Sequence, residues 1–362
     1  MRQAVDLAIK QNAKLPNGYT LRAIHQDEQS VAGNDAMTTF ADDNELVGVV
    51  GPLASATALA MLPGVEQAGI ATITPAATLP GLTQTAAAAT EGLTFGDLHP
   101  TGKPVAFFRL PATDSALGKA AADTALAPGA SHGLGAHSVF VVDDGGVSGK
   151  AQAAAFTAEL KAKGGAMAGH ASLTPGDPVS VQSVVSAIID AFPDAVFFGG
   201  DAAAGAQLRS TLSLTGAPQL PLLLAGPGAD DPGWSAAVGV TAAAAYTTAI
   251  LPAPTLAALP NASAVAAFSA AYQAAYHATP LPICALAYDA AMDEIAAIRS
   301  VISAGKAPTR AAVRAAVAAS KYNGLIGPIS FDANGDSVAS PGFSVYTCDT
   351  RGVWTFQTSL HT

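Results

Sequence analysis

The sequence predicts an α/β protein of two lobes, each a doubly wound and mostly parallel sheet with helices on both faces. Three observations predict it. Short apolar runs alternate with amphipathic helical patterns along most of the chain. Several of those runs end in loops of small or hydroxylated residues, as in GPLASA and TPAAT. The alternation continues beyond the low-complexity stretch Thr83–Pro104, and 362 residues suffice for two domains of ordinary size.

The first lobe opens on a helix over residues 2–12, with Ala4, Leu7 and Ala8 on one side and Arg2, Asp6 and Lys10 opposite. Asn17-Gly18 is a turn signal, Tyr19–His25 reads as a strand, and Asn34–Asp43 as a second helix. Leu46–Val50 is short and β-branched enough to be a buried strand, ended by Gly51 and Pro52. Ser55 stands where an N-cap is expected, and Leu59, Leu62 and Val65 repeat at helical spacing, which predicts a helix over 56–68 stopped by Gly69. Ile70–Ile73 is the next strand and Pro75-Ala76-Ala77-Thr78 the turn after it. In such sheets ligands bind beyond the carboxyl ends of the strands. Small residues there let a ligand approach the backbone, and the N–H groups and dipole of the helix after Ser55 suit a carboxylate. Thr83–Pro104 is a low-complexity insertion, read as a surface loop or a short extra helix, and Val105–Leu110 a strand.

In the second lobe, helices are expected at Ser115–Ala125, Lys150–Lys163, Val179–Phe192 and Asp201–Leu214. Strands are expected at Ser138–Val142, Ala166–Leu173, Ala195–Phe198, Leu222–Ala225 and Ala244–Ile250. Leu251–Pro260 is a proline-rich linker, followed by helices at Ala264–His277, Ile283–Ala304 and Thr309–Ala319. Ile329–Phe331, Phe343–Thr347 and Val353–Phe356 read as terminal strands, and Asp332–Asp336 as a turn with too few oxygen ligands for calcium.

A net charge of −10 without a basic patch argues against a nucleic-acid partner, and no apolar run reaches the roughly 18 residues of a membrane span. The histidines show no metal-ligand spacing, so neither metal nor cofactor is expected. Cys284 and Cys348 make neither a zinc pattern nor a CxxC pair, and read as buried free thiols or as a bridge in an oxidising compartment. Enzyme motifs fail. GGVSGK has Asp144 where a phosphate loop needs glycine, and alanine after Lys150, and Ser148 is not in a GxSxG. Asp143 and Asp144 read as a solvated or helix-capping loop pair, and Tyr288 with Asp289 as core packing plus a helix-surface carboxylate.

The stretch GPLASATALAMLPGVEQAGIATITPAATLPGLT resembles the branched-chain amino-acid-binding family of solute-binding proteins that feed ABC importers. RQAVDLAIKQ, VFVVDDGGVSGKAQAAAFTAELKAKGG, DAVFFGGDAAAGAQLRSTLSLTG, ALAYDAAMDEIAAI and YNGLIGPISFDANGD resemble further segments of that family in the same order. The resemblance implies a periplasmic-binding fold of type I with hinge crossings near residues 111, 249 and 326. Lobe 1 would then be 1–111 with 249–326, and lobe 2 112–248 with 327–362. It implies an extracytoplasmic, non-catalytic protein, expected as a monomer, that closes around a small ligand and docks on an ABC permease. A ligand-sensing module of the same fold is the alternative. The family begins with a strand and a signal segment, neither of which is seen before the helix starting at Arg2, so the first strand of lobe 1 is expected to be missing by truncation.

By the same resemblance, Ser55, Ala76 and Thr78, with Ala77 in the same turn, would hold the ligand's carboxylate and amine. The second-lobe positions depart from the family. Ser148 and Asp201 replace tyrosines, and Gly228 replaces the acid that pairs with the ligand ammonium. The expected ligand is therefore an amino-acid-like compound or a simple aromatic or aliphatic carboxylate, with Asp201 as substitute acid or merely a helix cap.

Overall fold

The structure, a computed structural model, describes the chain except for residues 29–32, 101–105, 216, 227–231, 239–241, 253–254, 340–341 and 361–362. The chain divides into two units: Met1–Ala112 with Thr255–Pro341, and Thr113–Pro254 with Gly342–Thr362.

The first unit starts with α1 (Arg2–Gln11), which buries Ala4, Leu7 and Ala8 as the apolar spacing predicts. Tyr19–His25 is not a strand. Only an isolated bridge, Lys14↔Thr20, touches this stretch, because strand identity needs a paired neighbour and none lies alongside among the described residues. After α2 (Gly33–Asp42) come β1 (Gly48–Val50), α3 (Ser55–Ala68) and β2 (Ala71–Thr74). Gly69 ends α3 in the left-handed conformation, φ 64°, a place where glycine carries no Cβ penalty. The insertion forms two short helices, α4 (Thr85–Thr90) and α5 (Phe95–Leu98). It is pinned by His99, whose Nδ1 lies 3.2 Å from Glu66 Oε1 and Nε2 3.0 Å from the Leu82 carbonyl. β3 (Phe107–Arg109) completes a three-stranded parallel sheet, β1-β2-β3.

The second unit runs through α6 (Asp114–Leu126), β4 (Ser138–Asp143), α7 (Val147–Ala162), β5 (Ala166–Ser172), α8 (Pro178–Ala191), β6 (Ala195–Gly199), α9 (Ala202–Ser213), β7 (Leu222–Ala225), α10 (Pro232–Val238) and β8 (Thr247–Leu251). The expected strand at Ala244–Ile250 begins only at Thr247. Its alanine-rich start, Ala242–Tyr246, coils into a 3-10 turn instead. The helix α10 was not predicted from the sequence. At Gly118 of α6 a Cβ would stand 2.6 Å from the Gln152 carbonyl, so α6 and α7 meet backbone to backbone.

The chain then returns to the first unit with α11 (Ala262–Tyr276), α12 (Pro282–Ser303), α13 (Arg310–Ala318) and a hairpin of β9 (Tyr322–Gly324) and β10 (Gly327–Ile329). The hairpin replaces the expected strand Ile329–Phe331, because the antiparallel pairing sits two residues earlier. Two last strands, β11 (Phe343–Cys348) and β12 (Trp354–Leu360), join the second unit, and pairing with β11 carries β12 past the expected end at Phe356. The second unit's sheet has the order β12-β11-β8-β7-β6-β4-β5, parallel from β8 to β5, with β11 and β12 antiparallel. Both faces are covered, as an apolar parallel sheet requires. Phe140, Phe198 and Leu224 pack with Ile188, Leu208 and Trp234 on one face, and Phe197 stacks on Phe156 of α7, ring centroids 4.0 Å apart, on the other. Cys284 and Cys348 are buried free thiols.

Candidate functional site

The carboxyl ends of β1 and β2 form a corner in the first unit. Ser55 is the first helical residue of α3, and Ala54, not Ser55, holds the N-cap position. The Ser55 hydroxyl instead accepts the N–H groups of Thr78 (3.1 Å) and Leu79 (3.2 Å), which ties the helix start to the loop after β2. Thr74 shapes the turn between them. Its hydroxyl donates to the Pro52 carbonyl at 2.7 Å and accepts from Ala76 N (3.2 Å) and Ala77 N (2.9 Å). Ser55, Ala77 and Thr78 are buried and Ala76 half-buried. Among the described residues the Thr78 hydroxyl and the first-turn N–H groups of α3, from Ser55 to Thr57, have no partner. The corner thus holds free hydrogen-bond donors at the positive end of a helix, on a scaffold whose own polar atoms are already fixed.

Sequence reasoning missed two supports of this corner. Arg109, at the end of β3 and fully buried, donates to the Leu79 carbonyl at 2.6 Å, to the Thr83 hydroxyl, and to Asp336 Oδ1 at 3.0 and 2.6 Å. Asp336 also accepts from Thr83 (2.8 Å) and Gln84 (2.7 Å), so one ion pair holds the whole loop from Leu79 to Gln84. A lone arginine in the apolar run AFFRL was the available signal. Glu28 was the second omission. Its carboxylate accepts Leu53 N at 2.8 Å and Ala54 N at 3.1 Å, just before α3.

In the second unit, Ser148 lies in the first turn of α7, after β4, and Asp201 caps α9, after β6. Those strands are paired neighbours, so the two residues stand at adjacent strand ends. Asp201 Oδ1 accepts Ala204 N at 2.8 Å, the cap geometry, and its own N–H donates to Asp144 at 3.0 Å. Asp144 also accepts Gly146 N, so it laces the two loops together. Asp143 is buried, with Gly145 N at 2.8 Å, His170 Nε2 at 2.8 Å and the Ser172 hydroxyl at 3.0 Å. Gly228 lies outside the described residues.

Asp289 is not at the helix surface, where the sequence put it. It is fully buried on α12 and accepts Leu325 N (2.9 Å) and Ile326 N (2.8 Å), which fixes the β9–β10 hairpin. Burial pushes its carboxyl up to about 7, against the pull of those two N–H groups, and Asp293 adds to the rise. Burial lifts Asp293 to about 6, with the Ser320 hydroxyl opposing, and Glu294 well above the carboxylate range.

Two α/β units with small-residue and hydroxyl-bearing loops at the carboxyl ends of parallel strands define a solute-binding protein of the periplasmic type I fold. The chain belongs to the Periplasmic binding protein family, whose sequence profile matches residues 1–352. Among solved structures it is similar to the leucine-binding protein of Thermotoga maritima, with a TM-score of 0.79 at 22% identity over 99% of this chain and 93% of that one. It is also similar to a branched-chain amino-acid transporter binding protein of Streptococcus pneumoniae in complex with isoleucine, TM-score 0.78 at 20% identity over 100% and 93%. A third is a Rhodopseudomonas palustris ABC-transporter solute-binding protein in complex with benzoate, TM-score 0.74 at 20% identity over 99% and 91%. No curated protein matches the sequence. Among the described residues no helix is long and apolar enough to cross a membrane.

Proposed function

We propose that this chain is the extracytoplasmic solute-binding protein of an ABC importer. It captures a small amino-acid-like or simple carboxylate ligand reversibly and presents it to a permease. The ligand carboxylate is received by Ser55, Thr78 and the free N–H groups of α3, with the backbone of Ala76 and Ala77 beside it. Ser148, Asp201 and Gly228 of the second unit complete the grip when the chain bends at its crossings. The observation that carries the reading is the tie from Ser55 to Thr78 and Leu79, which fixes the corner while its first-turn N–H groups and the Thr78 hydroxyl stay free. Donors already in place lose little freedom on binding, and desolvation strengthens each bond. The protein acts as a monomer, makes no bond in its ligand and binds no nucleic acid.

The similarity to both an isoleucine complex and a benzoate complex supports both ligand classes as candidates. Mass spectrometry of the co-purified ligand, followed by small-angle scattering with and without it, tests the reading. A smaller radius of gyration at saturation is expected. An unchanged radius, starting from a verified empty form, counts against closure.

A further inference from the structure

Helix α7 buries Gly149, Gln152, Ala153, Phe156 and Leu160, and Gln152 is the polar side chain among them, 2% exposed. A leucine would fill nearly the same space without the cost of burying an amide, so the partners of that amide decide what the residue does. Its Nε2 donates to Asp114 Oδ1 at 2.8 Å. Its Oε1 accepts the Gly200 N–H at 3.1 Å. Asp114 is fully buried at the start of α6, two residues past Ala112, where the first segment of the first unit ends. Gly200 directly precedes Asp201.

The next amide is held from the same side. The Asp201 N–H donates to Asp144 at 3.0 Å. Two consecutive amides beyond the end of β6 are thus taken by side chains of one segment, Asp144 to Gln152, and neither amide belongs to a helix or a strand. The backbone is shaped to admit those side chains. Gly200 has φ 145°, and a Cβ on it would stand 2.5 Å from the Asp144 carboxyl. Gly149 and Gly199 meet backbone to backbone, a Cβ on either lying 2.8 Å from the carbonyl oxygen of the other. Ser148 lies one turn before Gln152 on the same face of α7. The loops carrying Ser148 and Asp201 therefore form one plate, fastened to the start of α6 by Gln152.

We propose that Gln152 is a positioning residue for ligand capture. It fixes Gly200, and through it Asp201, relative to Ser148 and the start of α6, so the contacts of the second unit are set before a ligand arrives. Contacts set in advance lose little freedom on binding, and their loss shows as faster release. This role rests on the reading of Ser148 and Asp201 as ligand contacts.

The test uses the full chain, with leucine and benzoate as probes and two readouts. In ligand-free wild type, amide exchange followed by NMR should be slowed about tenfold or more at Gly200 and Asp201 relative to an unstructured chain. Gln152→Leu should remove that protection at Gly200. In stopped-flow titration it should also raise the dissociation rate of whichever probe wild type binds, by about tenfold. The association rate should not change, because the corner at Ser55 and Thr78 is untouched. A lower melting temperature with an unchanged dissociation rate would make Gln152 a packing residue only and would overturn the proposal. So would unprotected Gly200 and Asp201 amides in ligand-free wild type, a measurement that needs no variant and stands if Gln152→Leu misfolds. Binding of neither probe by wild type would overturn the ligand reading and this role with it. That failure is told apart from the other two because both of them leave wild-type binding intact.

Discussion

The Ser55 hydroxyl lies 3.1 Å from the N–H of Thr78, across 23 residues of sequence, and joins the start of α3 to the loop after β2. This bond fixes the two groups proposed to receive the ligand relative to one another before any ligand arrives. The hydroxyl accepts from two backbone N–H groups and keeps its own proton to donate.

Arg109 sets the loop from outside the corner. Arg109→Met should strand the Asp336 carboxylate and free the Leu79 carbonyl. Asp336 is half-buried, so the loss should be smaller than the about 3–5 kcal/mol of breaking a fully buried ion pair, read as a lower urea midpoint. Ligand affinity should fall as well, because the loop carrying Thr78 loses its anchor.

Asp289 and Asp293 predict the pH dependence of stability. Both carboxyls are raised when folded, to about 7 and about 6, from about 3.9 when unfolded. The folded chain then binds more protons than the unfolded chain through this window. Their contribution is therefore fully present below pH of about 4 and is lost as pH rises through 6 to 7. Urea midpoints measured from pH 4 to pH 8 should decline across that interval. Asp293→Asn should flatten the decline, and a midpoint that climbs through the window would contradict the assignment.

Asp201 distinguishes the two ligand classes. As a cap it accepts Ala204 N, and asparagine caps as well as aspartate, so Asp201→Asn should leave the melting temperature nearly unchanged. If Asp201 also pairs with a ligand ammonium, the variant should lose leucine binding and keep benzoate binding. Calorimetric titration of both compounds reads the difference. Leucine affinity unaffected by Asp201→Asn would leave the residue as a cap alone.

Local pattern made much of this fold legible. The apolar runs of β2, β4, β6 and β7, the αL glycine after α3 and the capping Asp201 are all written in neighbouring residues. What escaped depends on partners far away in sequence. Tyr19–His25 has a strand's composition but no strand beside it. Arg109 and Asp336 are 227 residues apart, so no spacing rule links them. Asp289 reads as a helix carboxylate until the hairpin at Leu325 and Ile326 closes over it. At the corner, the sequence marked Ser55 and Thr78 as contacts of one ligand, but the bond between them, and the roles of Thr74 and Glu28, appear only when the loops are folded.

The central claim is that this corner captures a carboxylate, and isothermal titration of benzoate and leucine into the wild-type chain and Ser55→Ala tests it most directly. Wild type should bind at least one of the two. Ser55→Ala should remain folded by circular dichroism and bind it at least tenfold more weakly, a loss of about 1.4 kcal/mol or more, because both a donor and the tie to Thr78 are gone. Equal affinity in a folded Ser55→Ala chain, or no binding of either compound by wild type stripped of ligand, would contradict the account.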